Sequence, residues 1–327
     1  MSAVSAARSG SSQSWMVRSA KTHGQELVVA LALVLLFAVV GAINPRYLGN
    51  NNLLSIFSGN AYIAVAAIGM AVVIITGNID VSVGALIGVL ATIAGTLATK
   101  GFPIWMAWGV PLVVGIAMGA FMGVLVAYAK IPSIVVTLGM LSILRGGLIT
   151  ATQGAWISNL PPDFLLAQFR LFAIPAPIVF MVVLTILVAI WMNYSALGRS
   201  LYAVGGNSEA ARATGLRVEP LTVFAFAFNG LFAGIAALLF ATQLQVIQST
   251  VPPNLELTII TAAVIGGVSI LGGTGTVIGS TLAALLFGAI ASAFVFVGIS
   301  AYWRGAVIGL LILVTVLADM ARRRRFL

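Results

Sequence analysis

Long apolar runs separated by short polar stretches dominate this chain from about residue 26 onward. A helix needs about 20 apolar residues to cross the hydrocarbon core of a bilayer. By that measure the pattern predicts ten membrane-spanning helices, at 26–43, 53–76, 81–99, 104–128, 132–150, 173–192, 220–242, 256–272, 276–297 and 301–319. We expect the third, fifth and eighth to be short, broken or re-entrant, because the stretches "GNID" and "GGTG" interrupt the pattern.

The composition agrees with an all-α polytopic membrane protein. Hydrophobic residues make up 61% of the chain and charged residues only 7%, whereas about 25% of a soluble domain is charged. Cysteine is absent and the one histidine, His23, precedes the first apolar run. Disulfides, thiolate metal sites and thiol catalysis are therefore excluded, and we expect no catalytic residue, no metal site and no cofactor bound by this chain.

The sequence predicts that both chain ends are tails outside the membrane. Residues 1–25 are rich in Ser and Ala and carry scattered basic residues, which predicts a disordered cytoplasmic tail before a retained first span. The transmembrane domain covers 26–319, and 320–327 form a basic C-terminal tail. We interpret its "RRRR" as a stop signal at the membrane face and not as a nucleic-acid contact.

The distribution of basic residues predicts that both termini are cytoplasmic. With ten spans and the N-terminus inside, 11 of the 16 Lys and Arg residues are cytoplasmic: Arg8, Arg18, Lys21, Lys130, Arg199, Arg212, Arg217 and Arg322 to Arg325. The other five are outside: Arg46, Lys100, Arg145, Arg170 and Arg304. This excess of basic residues on one side satisfies the positive-inside rule.

A weak internal repeat relates the two halves of the chain. Sliding the sequence by 191 residues places 71–88 over 262–279 with seven identities in 18 positions. An even number of spans separates the copies, so the repeat is parallel. Glycine-interrupted apolar segments at equivalent places in two halves indicate a transport pathway. The alternative, which we favour for the glycines themselves, is close helix packing through GxxxG pairs.

A polar stretch at 198–219, between the sixth and seventh spans, interrupts the apolar pattern most clearly. Within it "NSEAARATG" predicts one short helix, capped by Asn207 or Ser208 and stopped by Gly215. A helix of that length is marginal by itself and needs a surface to lie against. It is either a solvated surface helix or a docking element for a cytoplasmic partner.

Three stretches resemble one transporter family. "GRSLYAVGGNSEAARATGL" resembles the coupling element of ATP-binding-cassette (ABC) importer permeases of the ribose, xylose and arabinose type. "TGNIDVSVGALIG" is similar to that family's "TGGIDLSVG" signature, with Asn78 at its second glycine. "ELTIITAAVIGGVSILGGTGTVIGS" is similar to a second signature, in which Asp commonly stands where this chain has Thr258. The resemblance covers about residues 27 to 319.

The resemblance implies the permease subunit of an ATP-driven importer of a monosaccharide in the bacterial inner membrane. It implies a like or unlike permease dimer, a cytoplasmic ABC ATPase and a periplasmic or lipid-anchored sugar-binding protein. The sequence contains no GK[ST], so a partner would use the ATP and magnesium. The residues expected to couple to that ATPase are Gly205, Gly206, Asn207, Glu209, Ala210, Ala211, Arg212 and Gly215.

The candidate pathway residues are polar groups within apolar segments: Asn60, Asn78, Asp80, Asn229, Gln243 and Gln245. Each of them could instead form hydrogen bonds between helices. Asp80 and Glu256 stand where helices begin, which favours capping over a proton relay. A set with little charge suits a neutral hydroxylated cargo. The alternatives are a branched-chain amino-acid permease and a self-sufficient secondary transporter or channel, against which the lack of mid-span charge argues.

Overall fold

The computed structural model describes residues 10–171, 173–243, 246–248 and 254–300 and isolated positions between 302 and 313, with side chains described from residue 24 onward. Within these ranges the α-helices are α1 (Gly10–Ile43), α2 (Asn50–Ile75), α3 (Val83–Thr99), α4 (Ile104–Ala127), α5 (Ser133–Thr152), α6 (Ala176–Tyr194), α7 (Ala196–Gly206), α8 (Ser208–Ala213), α9 (Val218–Ala241), α10 (Leu255–Ile265) and α11 (Val277–Val297). The only strands in the described part, β1 (Arg170–Leu171) and β2 (Ile174–Pro175), form a two-residue antiparallel pair.

The all-α polytopic architecture is confirmed. Seven described helices are long and apolar enough to cross a membrane: α1 from Gly24, α2, α4, α5, α6, α9 and α11. The predicted third and eighth spans are the short ones, since α3 has 17 residues and α10 only 11. The fifth, α5, is a full-length helix of 20 residues. Most of the predicted tenth span, 301–319, lies outside the described residues.

The first helix begins earlier than the sequence predicted. Residues 10–25 were expected to belong to a disordered tail, yet α1 starts at Gly10. No proline interrupts Gly10–Ile43, and the Ser, Gln, Lys and Arg residues before the apolar run are all tolerated in a helix. The apolar span therefore propagates its helix backward through the polar segment. Residues 1–9 lie outside the described part.

Helix α2 occupies the centre of the bundle. Of its 18 most apolar consecutive residues 83% are buried, a larger share than in any other described span. Helices α9, α11, α6 and α10 pack around it, and α4 packs along the outer side of α9. A helix that is apolar on every side needs such a position, because it has no polar face to offer.

The two ends of the bundle differ in structure. One end, which we call the α7–α8 face, carries α7 and α8. It also carries the breaks between α2 and α3 and between α10 and α11, which meet where the Gly273 N–H donates to the Ile75 carbonyl (2.8 Å). At the opposite face, the Tyr47 hydroxyl donates to the Ala289 carbonyl (2.9 Å). The chain thus passes through both breaks on the side of the polar stretch.

Candidate functional site

Two short helices, not one, form the polar stretch. The predicted helix is confirmed as α8, whose N-cap is Asn207: its side-chain oxygen accepts from the Ala210 N–H (2.9 Å). Gly215 has φ +88°, the left-handed conformation expected of the stop. The preceding segment, for which the sequence predicted no helix, is α7, and Ser195 caps it by accepting from the Gly198 N–H (2.8 Å).

Helix α8 is fastened from beneath. Ala211 is only 4% exposed and packs with Val204 and Val218 in a small apolar cluster. Arg212 forms an ion pair with Glu219 on α9 (2.6 Å). The exposed coupling candidates are Gly206, Asn207, Glu209, Ala210, Arg212 and Gly215. Ala211 therefore holds α8 in place and presents no surface to a partner. We call the exposed surface of α7 and α8 the platform.

Close backbone contacts join α7 to both helix breaks. A Cβ added to Gly205 would overlap the Ile75 carbonyl, and one added to Gly272 would lie 2.8 Å from the Gly205 carbonyl and 2.8 Å from the Gly77 nitrogen. A Cβ at Gly273 would lie 2.6 Å from Gly206 Cα. We call Ile75, Gly77, Gly205, Gly272 and Gly273 the glycine junction. Only glycine permits backbones to approach this closely.

One side chain reinforces the glycine junction. The Tyr202 hydroxyl, on α7, donates to the carbonyl of Gly275 in the break between α10 and α11 (2.8 Å). Burial raises the pKa of this hydroxyl, with a further contribution from the Glu26 carboxylate. The hydroxyl therefore keeps its proton and remains a donor. Together, these contacts make α7 and the two breaks one mechanical unit.

Asp80 and Asn229 meet inside the bundle. The Asp80 carboxylate accepts from the Ser82 N–H (2.9 Å) and hydroxyl (2.6 Å) through Oδ1, and from Asn229 Nδ2 through Oδ2 (2.8 Å). Asn229 lies about 16 Å from the start of α9, at a rise of 1.5 Å per residue. The contact therefore lies in the interior of a span. Asp80 is 1% exposed and Asn229 fully buried. This contact fastens the start of α3 to α9.

We expect Asp80→Ala to lower the stability of the protein by about 2 kcal/mol, because it leaves the buried Ser82 N–H and Asn229 Nδ2 without their acceptor. Thermal unfolding in detergent, followed by gel filtration of the remaining monodisperse protein, measures the change. Asp163→Ala is the control, since Asp163 is exposed in a connecting segment. Equal unfolding temperatures for the two variants would contradict the assigned role.

Arg145 and Glu256 form a second polar contact between spans. Arg145 Nη2 lies 3.2 Å from Glu256 Oε1, with 44% and 7% of the two side chains exposed. Arg145 had been assigned to the outer loops, but it is about 18 Å along α5 at 1.5 Å per residue and seven residues before its end. The premise that no charge lies within a span was therefore wrong. The error arose because Arg145 was counted among the outer residues although it falls inside the predicted span 132–150.

The remaining described pathway candidates lie apart from this pair, with Asn60 on α2, Asn78 in the break after it and Gln243 just after α9. Asn60 Nδ2 donates to the Ile56 carbonyl (2.8 Å), and Gln243 Nε2 donates to the carbonyl of Ser58 (3.0 Å). Asn78 lies in the break after α2, where its Nδ2 donates to Thr76. Gln245 lies outside the described residues. Of the candidates, only Asp80 and Asn229 are joined directly to each other in the described part.

The described residues contain no group of three or more His, Cys, Asp or Glu that could hold a metal ion. Asp80 with Asn229 and Arg145 with Glu256 form two separate polar pairs between helices. Sequence reasoning missed Arg145 and the glycine junction. The signal for Arg145 was present, since the residue falls inside the apolar run 132–150 and a charge within a span indicates a functional site.

Known proteins agree with this architecture. The family profile described as "Branched-chain amino acid transport system / permease component" matches residues 52–316. The chain is 39% identical over 299 residues to the autoinducer 2 import system permease protein LsrC of Yersinia pestis (strain Pestoides F), covering 91% of this chain and 85% of that one. LsrC of Yersinia enterocolitica serotype O:8 is 38% identical over 91% of this chain and 83% of its own. No solved structure gave a significant match. The chain therefore belongs to the family of branched-chain amino acid transport system permease components.

Proposed function

We propose that this chain is the membrane-spanning permease subunit of an ATP-driven importer of a neutral monosaccharide in a bacterial inner membrane. The carrying observation is the glycine junction, through which α7 touches the breaks in both copies of the internal repeat. A movement imposed on α7 would reach both breaks at once, because closely packed backbones shift as rigid bodies.

The partners follow from the same arrangement. A separate ABC ATPase would dock on the α7–α8 face, where the described part of the chain offers an exposed, charged platform held from beneath by Ala211. A binding protein would deliver the cargo at the opposite face, and a second permease copy or homologue would complete the pathway. With the α7–α8 face cytoplasmic, both termini would be cytoplasmic.

A sugar fits the polar groups of the interior better than an ion does. Asn60, Asn229 and Gln243 are uncharged, and each charged group of the interior is compensated by a neighbour. Asp80 accepts three hydrogen bonds, and Arg145 is paired with Glu256. The motif resemblance to ribose-, xylose- and arabinose-type permeases supports the same substrate class. The related LsrC proteins are named for import of autoinducer 2.

The coupling residues separate by position into two roles. Gly205 and Ala211 lie on the inner side, where Gly205 contacts Ile75 and Ala211 packs against Val204. The exposed residues Asn207, Glu209 and Ala210 would meet the ATPase. Asn207 additionally caps α8, so Ala210 is the position where a change affects the surface most selectively.

We expect Ala210→Glu to abolish capture of the ATPase while the permease still reaches the membrane, because a charged side chain would replace a methyl group at the centre of the docking surface. The measurement is affinity purification of the permease in detergent, with mass spectrometry of the co-purified proteins. Ala196→Glu is the matched control, since Ala196 is an exposed alanine in the first turn of α7, outside α8.

The same purification tests the proposed function as a whole. Recovery of an ABC ATPase with the wild type and with Ala196→Glu, but not with Ala210→Glu, supports the importer and its docking surface. If the wild type is recovered alone and moves solute in liposomes without ATP, the permease proposal fails, and a secondary transporter or channel takes its place.

A further inference from the structure

We infer that the ion pair of Arg145 and Glu256 is a contact site for the cargo, where the guanidinium and the free carboxylate oxygen bind neighbouring hydroxyl groups of a neutral sugar. The inference rests on the proposed function and deepens it, because it assigns the hydroxyl-recognising groups. Neither residue was among the pathway candidates drawn from the sequence.

The first observation is the exposure of Arg145 inside a span. Its side chain is 44% exposed although it belongs to a transmembrane helix. A charged group in that position is too costly to leave against lipid, so it faces a water-filled cavity or a protein surface. Within the described part of the chain the guanidinium makes one hydrogen bond, to Glu256 (3.2 Å). An arginine carries five N–H donors, so several remain for a ligand.

The second observation is an unsatisfied oxygen on the partner of Arg145. Glu256 Oε2 is buried and has no hydrogen-bond partner, whereas Oε1 is engaged by Arg145. Leaving a buried carboxylate oxygen unpaired costs free energy, and such groups mark places where a ligand or a water completes the site. A hydroxyl group of a sugar is a donor of suitable size.

The third observation is that a glycine lies beside each partner of the pair. Oε2 faces Gly84 at the start of α3, where an added Cβ would lie 2.5 Å from it. On α5, a Cβ added to Gly146 would meet nothing within 4 Å, and Ser142, one helical turn before Arg145, is exposed. The exposed surface beside Arg145 on α5 is therefore open at Gly146 and Ser142, and the larger side chain of Ile149 borders it one turn further along.

The charge of the site selects the cargo class. Arg145 and Glu256 compensate each other, so the pair carries no net charge. An anionic cargo would be repelled by the Glu256 carboxylate and a cationic one by the Arg145 guanidinium, whereas a neutral diol can bind the free N–H donors and Oε2 while the pair stays intact. A zwitterionic amino acid would have to displace each partner from the other. The geometry therefore points to a neutral polyhydroxylated cargo.

The chain has no cysteine, so a single introduced thiol reports on this site. Ser142→Cys, an almost isosteric change, is placed in the complete importer in proteoliposomes, and the rate of its reaction with a membrane-impermeant methanethiosulfonate reagent is measured. D-Ribose, D-xylose and L-arabinose are the probes, and the transported one is expected to slow the reaction. Val113→Cys, exposed on α4, is the control and is expected to stay unreactive in the lipid.

Two further substitutions identify the binding groups. In the Ser142→Cys background, Arg145→Gln is expected to raise the sugar concentration for half-protection by about tenfold, the loss of a hydrogen bond to a charged donor. Glu256→Gln leaves the Arg145 charge uncompensated, so the aldonate of the same sugar is expected to gain protection that it lacks in the wild type. A purely structural ion pair would not produce that gain. Arg46→Gln, an exposed arginine outside the spans, should change neither value.

The outcomes separate the two proposals. The cargo site is overturned if the wild type takes up sugar but sugar gives no protection at Ser142→Cys. It is also overturned if Arg145→Gln and Glu256→Gln leave the protection unchanged. Either result leaves the importer in place. Disulfide-linked permease dimers through Ser142→Cys overturn it as well, because the α5 surface would then be an interface between copies. If the wild type imports leucine or valine and no sugar, the proposed function itself fails.

Discussion

Gly205→Ala is expected to reduce transport by about tenfold or more, although it adds a single methyl group. The new Cβ would overlap the Ile75 carbonyl and lie 2.7 Å from the Gly273 nitrogen. Both neighbours are backbone atoms, so no side-chain rotation relieves the overlap, and α7 must move away from the two breaks. The hydrogen bond from the Gly273 N–H to the Ile75 carbonyl would be disturbed at the same time.

The adjacent residue provides the matched control for this prediction. A Cβ added to Gly206 would lie 4.0 Å from Gly273 Cα, an ordinary van der Waals distance. Gly206→Ala should therefore transport like the wild type. ATP-dependent sugar uptake by proteoliposomes, normalised to the amount of inserted permease, compares the two variants. Equal uptake by both would contradict the role of the glycine junction, whereas Ala210→Glu would still test the ATPase contact separately.

Much of the fold followed from hydrophobic patterning, because a membrane segment must be apolar over a definite length. The start of α2 was predicted at 53 and lies at Asn50, and α9 was predicted from 220 and begins at Val218. The shortness of α3 and α10 was also foreseen from "GNID" and "GGTG". The extent of α1 was not, since the polar residues 10–25 fit a tail as well as a helix.

The site was less predictable, because its features depend on contacts between distant segments. The glycines of the junction come from three separate stretches, and sequence spacing alone cannot tell a packing glycine from a turn glycine. The carboxylate of Asp80 was correctly placed near a helix start, but its bond to Asn229 joins residues 149 positions apart. Arg145 was misassigned because each basic residue was assigned to one side of the membrane, although this one falls inside the predicted span 132–150.

The two polar pairs and the glycine junction converge on the start of α3. Asp80 binds Ser82 just before that helix, Glu256 lies against Gly84 in its first turn, and Gly77 begins the break. The platform of α7 and α8, the proposed cargo contact and the interior carboxylate therefore share one short helix. Such an arrangement explains how movement at the α7–α8 face could change the cargo site, because the break before α3 contains Gly77 of the glycine junction and the first turn of α3 contacts Glu256.

Gly115→Ala on α4 is expected to have the largest effect on folding, about 3 kcal/mol of lost stability. A Cβ on Gly115 would overlap the Gly230 carbonyl on α9, and one on Gly230 would overlap the Gly115 carbonyl in return. The two helices touch backbone to backbone here, so the methyl group would force them apart along their whole length. Gly109→Ala is the control on the same helix, because a Cβ there meets nothing within 4 Å, and alanine stabilises a helix by up to about 1 kcal/mol over glycine. The unfolding temperature in detergent should therefore fall for Gly115→Ala and should rise or stay unchanged for Gly109→Ala. A similar loss of stability in both variants would mean that α4 and α9 do not depend on this backbone contact.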